Sequence, residues 1–120
     1  MKTVLAVDDS ASVRQVVKLV LGGAGYRVLE AVNGAEGLTQ LKGGGVDLIV
    51  TDLNMPVMDG LTFIREARKL PVGKGIPILF LTTESDPAKM AQAKQAGTTG
   101  WIVKPFQNEQ FLAVVGKVLR

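Results

Sequence analysis

The chain has 120 residues, 47% hydrophobic and 21% charged, with 14 basic against 11 acidic side chains and a net charge of +3. That suits one compact domain with a real core and leaves no room for a second folded unit. Cysteine and histidine are both absent, which excludes disulfides, thiolate metal sites, an imidazole base and an internal phosphohistidine.

Strand-like and helix-like segments alternate from end to end, the mark of a βαβ protein. The opening run Thr3–Val7 reads as a strand buried on both faces. It meets Asp8-Asp9 too early for a signal-peptide core, and no apolar run nears membrane-spanning length, so a cytoplasmic protein without membrane association is expected. Val13, Val16, Val17, Val20 and Leu21 recur at helical spacing until Gly22-Gly23-Ala24-Gly25 stops that helix. Residues 26–31 form a second strand. Asn33 opens the next helix, with Glu36 completing a capping pair and Leu38 and Leu41 facing inward. Gly43-Gly44-Gly45 ends it.

Residues 46–51 are a third strand that delivers Asp52 at its end. Asp59-Gly60 then turns into a helix with Leu61, Ile64 and Ala67 on one side. Residues 76–81 make the fourth strand, with Pro77 near its start, where a missing N–H does least harm. Asp86-Pro87 caps a helix running to Ala96 that is poor in large apolar residues, offering Met90 and several alanines. Residues 101–103 are the last strand, and Phe111, Leu112, Val114, Val115, Val118 and Leu119 supply a final amphipathic helix. One domain over residues 1–120, built from five βα units, is expected. The basic residues are spread along it with no arginine-rich arm, so nucleic acid is not an expected partner.

Four short stretches each follow a strand: Val7-Asp8-Asp9-Ser10, Thr51-Asp52-Leu53-Asn54-Met55-Pro56, Leu81-Thr82-Thr83-Glu84 and Val103-Lys104-Pro105-Phe106. Ligands of open α/β sheets bind beyond the carboxyl ends of strands, which is where all four fall. Asp8, Asp9 and Asp52 would then lie close together. Two unit charges about 4 Å apart repel by about 4 kcal/mol at an effective dielectric near 20, so three carboxylates need a counter-charge. Oxygen-only donors with room for water suit Mg²⁺ better than zinc or copper. Asp8-Asp9 could instead merely cap the first helix, but a cap needs one acid and does not predict Asp52. Asp52 is the candidate nucleophile for a phosphoryl group, with Lys104 as its cationic partner and Thr82 as a hydroxyl donor. The glycine clusters lack a GxxxxGK[ST] pattern, so direct use of ATP is not expected.

Together VDDS, TDLNMPVMDG, LTTE and KPF resemble, in order and without gaps, the receiver domains of two-component response regulators, and most of all the single-domain CheY-like chemotaxis regulators. The resemblance covers essentially the whole chain. It implies a flavodoxin-like, doubly wound five-stranded parallel sheet in the order 2-1-3-4-5 with five helices. By position, Asp52 matches the phosphorylated aspartate, Asp9 a direct Mg²⁺ ligand, and Asp8 a ligand acting through water. Asn54 matches a backbone-carbonyl ligand, Thr82 the switch hydroxyl and Lys104 the site lysine. The Lys104–Pro105 bond is implied to be cis. Trp101 takes the place of a mobile aromatic that is more often tyrosine or phenylalanine, and turns inward on activation. Asn54 and Glu84 match positions that tune hydrolysis of the acyl phosphate.

The implied function is a phosphorylation-controlled switch rather than an enzyme, catalysing only its own phosphorylation and dephosphorylation. Its implied partners are a CheA-like histidine kinase, a FliM-like flagellar switch protein and a phosphatase, met by a monomer through its fourth helix, fifth strand and fifth helix. The alternative is a phosphate sink or relay intermediate with the same site and no motor output. A phosphohydrolase of the haloacid dehalogenase type would need Asp-x-Asp, whereas Asp52 is followed by Leu53-Asn54.

Overall fold

Alternation along each strand decides the architecture. In the computed structural model, which describes residues 1–119, Val4 and Ala6 of the first strand feed one core and Leu5 and Val7 feed another. Arg120, the expected end of the domain, lies outside the described residues. Five strands form one parallel sheet: β1 (Thr3–Val7), β2 (Arg27–Ala31), β3 (Leu48–Thr51), β4 (Ile78–Thr82) and β5 (Gly100–Val103), in the order β2-β1-β3-β4-β5. Helices α1 (Ala11–Gly23) and α5 (Asn108–Val118) cover one face around Val17, Leu21, Phe111 and Val115. Helices α2 (Gly34–Lys42), α3 (Gly60–Lys69) and α4 (Pro87–Gln95) cover the other around Leu41, Phe63, Ile64, Ala67 and Ala93. This is the doubly wound, flavodoxin-like fold. The apolar runs are continuous because both sheet faces are buried.

Several details depart from the sequence-based expectations. Val16 faces outward at 40% exposure, and α1 packs through Val17 and Leu21 instead. Phe63, absent from the expected inward side of α3, is fully buried and fills the space beside Gly34 and Gly37. β3 starts at Leu48 rather than residue 46. Asp47 just before it accepts the Thr3 N–H through its carboxylate at 2.8 Å. β4 starts at Ile78, so Pro77 stands outside the strand, although its carbonyl still accepts the Ile49 N–H at 3.0 Å. β2 begins at Arg27 because the Tyr26 N–H closes the end of α1 on the Leu21 carbonyl. β5 begins one residue early, at Gly100. A short 3₁₀ turn, Pro71–Gly73, follows α3 and was not expected.

Helix termini follow their cap residues. Ser10, Asn33, Asp59 and Asp86 each accept a backbone N–H from the first turn of the helix they precede. Asn33 accepts from Glu36 at 2.9 Å. Among the described residues, no helix is long and apolar enough to cross a membrane.

Candidate functional site

Register brings the acidic residues together. Val7 pairs with Thr51 across β1 and β3, so Asp8-Asp9 and Asp52 leave adjacent strands at the same level. The ladder runs one residue further: the Asp52 N–H donates to the Val7 carbonyl at 2.9 Å and the Asp8 N–H to Ala31 at 3.0 Å. On the other side Thr82 pairs with Val103, and the Lys104 N–H donates to the Thr82 carbonyl at 2.8 Å. Four strand ends thus surround one point.

One oxygen from each of Asp8, Asp9 and Asp52 lies within 4.8 Å of the others. Asp8 is 4% exposed and Asp52 9%, while Asp9 opens to solvent. The Lys104 ammonium bridges the buried pair, at 2.7 Å from Asp8 Oδ2 and 3.2 Å from Asp52 Oδ2. The lysine was expected to pair with Asp52, but its shorter contact is to Asp8. Asp52 Oδ1 accepts the Leu53 N–H at 2.7 Å, and Asp8 Oδ1 the Ser10 N–H at 2.9 Å. The helix-cap alternative for Asp8-Asp9 therefore fails: the α1 cap is the Ser10 hydroxyl, which accepts the Val13 N–H at 3.3 Å.

Burial pushes the Asp8 carboxyl above its ordinary range, against the opposing pull of the Lys104 hydrogen bond and the Ser10 N–H. Burial lowers Lys104, but the hydrogen bond and charge of Asp8, then those of Asp52, outweigh it and hold the ammonium above its usual value. The lysine stays charged. One ammonium against three carboxylates leaves an excess of negative charge on hard oxygen donors, which fits Mg²⁺.

Thr82 is fully buried, and its hydroxyl accepts the Glu84 N–H at 3.2 Å. The Asn54 amide donates to Glu84 Oε1 at 3.5 Å, and Lys89 from the first turn of α4 donates to the same oxygen at 3.0 Å. The Lys89 hydrogen bond holds the Glu84 carboxyl below its ordinary range. Trp101 lies half-buried on the core, its ring 5.2 Å from that of Phe80 and tilted by 47°. Its indole N–H is buried without an acceptor among the described residues. The Lys104–Pro105 peptide is cis.

Sequence reasoning missed two supports of the site. Arg14 donates to the Asp8 carbonyl at 2.6 Å and pairs with Glu30 at 3.3 Å, bracing the backbone that carries the acidic pair. Gly60 packs where a Cβ would stand 2.0 Å from the Asp52 carbonyl oxygen, so only glycine lets α3 begin beneath Asp52. The loop between them holds Val57 at φ 67°, in the left-handed region.

The fold and this site define a class, and sequence comparison gives it a family. The profile of the response regulator receiver domain matches residues 4–116, and the chain belongs to that family. Among its relatives, the chemotaxis protein CheY4 of Vibrio cholerae is 46% identical, with 99% of both chains covered and a TM-score of 0.95. The sensor histidine kinase CheAY of Helicobacter pylori is 37% identical over 119 residues. That match takes in 98% of this chain but only 15% of the kinase. The response regulator TrrA of Thermotoga maritima, solved in complex with Mg²⁺ and BeF, is 33% identical, covers 99% of this chain and 100% of its own, and has a TM-score of 0.88. The chain is thus a CheY-like receiver of two-component signalling.

Proposed function

We propose that Asp52 accepts a phosphoryl group from a CheA-like histidine kinase in the cytoplasm, and that the α4–β5–α5 face then changes its affinity for a partner such as a FliM-like flagellar switch protein. The observation that carries this is the convergence of Asp8, Asp9, Asp52 and Lys104 at one point of the sheet edge. With no histidine of its own, the chain takes the phosphoryl group from another molecule. An Asp52 carboxylate oxygen forms a bond to phosphorus as the phosphorus–nitrogen bond of the donor breaks, and the freed imidazole takes a proton from water.

Asp8, Asp9 and Asp52, with the backbone carbonyl of Asn54, would hold Mg²⁺, which when bound neutralises charge on the phosphoryl oxygens. Lys104 has its ammonium ready for one phosphoryl oxygen, and the Thr82 hydroxyl donates to another. Hydrolysis ends the signal: water attacks phosphorus, the bond to Asp52 breaks, and phosphate leaves. Asn54 and Glu84, joined across the mouth of the site, control that water. A phosphatase from outside would act on the same bond. Thr82 and Trp101 carry the change to the partner face.

A phosphate-sink or relay role is the second reading, favoured by the likeness to a segment of CheAY, itself named a sensor kinase. The deciding experiment follows Trp101, the only tryptophan, while a FliM N-terminal peptide is titrated with and without Mg²⁺ and beryllofluoride. Tightening by about tenfold, about 1.4 kcal/mol of coupling, marks a switch with motor output. A fluorescence change without peptide binding marks a sink or relay. In parallel, Asp52→Asn should abolish Mg²⁺-dependent phosphoryl uptake from a small phosphodonor, read by intact mass. Uptake at the wild-type rate would sink the assignment.

A further inference from the structure

Helix α4 is weakly held along its length. Ala93 is its one buried residue, and the rest of Pro87–Gln95 is exposed. What fixes it is its two ends. At the first turn, Asp86 caps through Ala88 at 2.9 Å, while Glu84 gathers Lys89, the Asp86 N–H and Asn54. That end therefore hangs on the loops around Asp52 and Thr82.

The other end is built differently. Arg68, on the last turn of α3, has no carboxylate partner among the described residues. Its Nη1 donates to the carbonyls of Gly73 and Ile76, each at 2.6 Å, and its Nη2 to Gly97 at 2.8 Å. One guanidinium thus joins the 3₁₀ turn, the approach to β4 and the residue just past α4. Burial lowers the Arg68 pKa without threatening its charge. Gly97 sits at φ 102°, and a Cβ there would stand 3.1 Å from Arg68 Nε. A cation at a helix C-terminus also complements the macrodipole. Next to this clamp, Thr98 and Thr99 stitch the chain to both backbone groups of Ile78. A 320 Å³ groove lined by Met90, Lys94, Thr98 and Trp101 lies alongside.

We infer that Arg68 is the fulcrum of α4: it pins the C-terminal end at Gly97, so that rearrangement of the Glu84 loops swings the N-terminal end and reshapes the wall around Trp101. Arg68 touches none of the acidic cluster and acts as a positioning residue. A helix with one buried side chain and both ends free would dissipate such a movement; one pinned at a single end converts it into rotation. This rests on the reading of Asp52 as phosphoacceptor and of the α4–β5–α5 face as output.

The test compares wild type with Arg68→Ala, Arg68→Lys and Gly97→Ala in the full chain. Hydrogen exchange in the unphosphorylated protein comes first. Loss of hydrogen bonds to a charged donor should raise exchange across residues 91–99 about tenfold or more in Arg68→Ala, with β1 and β3 unchanged. Phosphoryl uptake by Asp52 should be unaltered, but the Trp101 fluorescence response to Mg²⁺ and beryllofluoride should fall to about half or less. Arg68→Lys keeps the charge but loses the fork, and should give an intermediate response. Gly97→Ala strains the contact from the other side and should reproduce the loss with the guanidinium intact. Unchanged exchange over 91–99, or a Trp101 response of wild-type amplitude in Arg68→Ala and Gly97→Ala, overturns the fulcrum. If Arg68→Ala fails to fold, the lysine and glycine variants decide alone. Wild type that takes up no phosphoryl group refutes the functional reading instead, and the exchange comparison still decides whether Arg68 holds α4.

Discussion

Asp8 and Asp52 share one ammonium, yet the closer contact belongs to Asp8. Even so, burial keeps the Asp8 pKa above its ordinary 3.8. A carboxyl whose folded pKa is raised binds its proton more tightly when folded, so its ionised form subtracts stability at pH above that folded value. The deficit fades as pH falls through the folded pKa toward 3.8. Asp8→Asn in divalent-free buffer should therefore raise the thermal midpoint at neutral pH, with the gain shrinking as pH approaches 3.8. A gain independent of pH would show that charge is not its source. Val57 poses a different residue-scale problem, since a β-branched side chain at φ 67° carries a steric cost of about 1–2 kcal/mol. Val57 is 83% exposed, so Val57→Gly loses little packing. Offset by the about 0.5–1 kcal/mol of backbone entropy that glycine costs, the relief should leave a net rise of a few degrees in the midpoint, measured by thermal unfolding. A fall would mean that the loop is held in place by the valine itself.

At the scale of elements, the junction of β3 and α3 is the tightest constraint on the site. Gly60 donates its N–H to Leu53 at 2.7 Å, and its Cα faces the Asp52 carbonyl with no space for a methyl group. Gly60→Ala must move either α3 or the Asp52 backbone, at a cost of about 1–3 kcal/mol, to be measured by urea denaturation. A variant as stable as wild type would show the junction to be soft. The sequence made the strands and their terminal acids legible because hydrophobic period and strand-end position are local properties. Asp8, Asp52, Thr82 and Lys104 could be placed on one edge from that pattern. Arg14, Arg68 and Gly60 could not, because their partners are backbone carbonyls of loops and turns, and a carbonyl leaves no signature in residue type. Val16 misled because its spacing fits the apolar stripe of α1 while the actual contact runs through Val17 and Leu21. Pro77 shortened β4 for the reason that placed it near the strand start, its missing N–H.

Across the whole molecule, the charge imbalance of the site sets how ligand and fold are coupled. A cation that binds the folded cluster and not the unfolded chain stabilises in proportion to the logarithm of its concentration. Millimolar Mg²⁺ should raise the thermal midpoint progressively at neutral pH, and Asp9→Asn should blunt that rise while leaving the metal-free midpoint little changed, because Asp9 is exposed. Calorimetry across a Mg²⁺ series checks both, and a flat midpoint in wild type would remove the cation from the site.

Asp8 and Lys104 meet across 96 positions of sequence. The acids stand on β1 and β3, neighbours at the centre of the sheet, whereas the lysine follows β5 at its far edge. In order of synthesis the two carboxylates are therefore made long before their neutralising charge, which arrives only with the segment that follows β5. No fragment ending before β5 has the complete cluster. The complete constellation is therefore a property of the finished sheet alone.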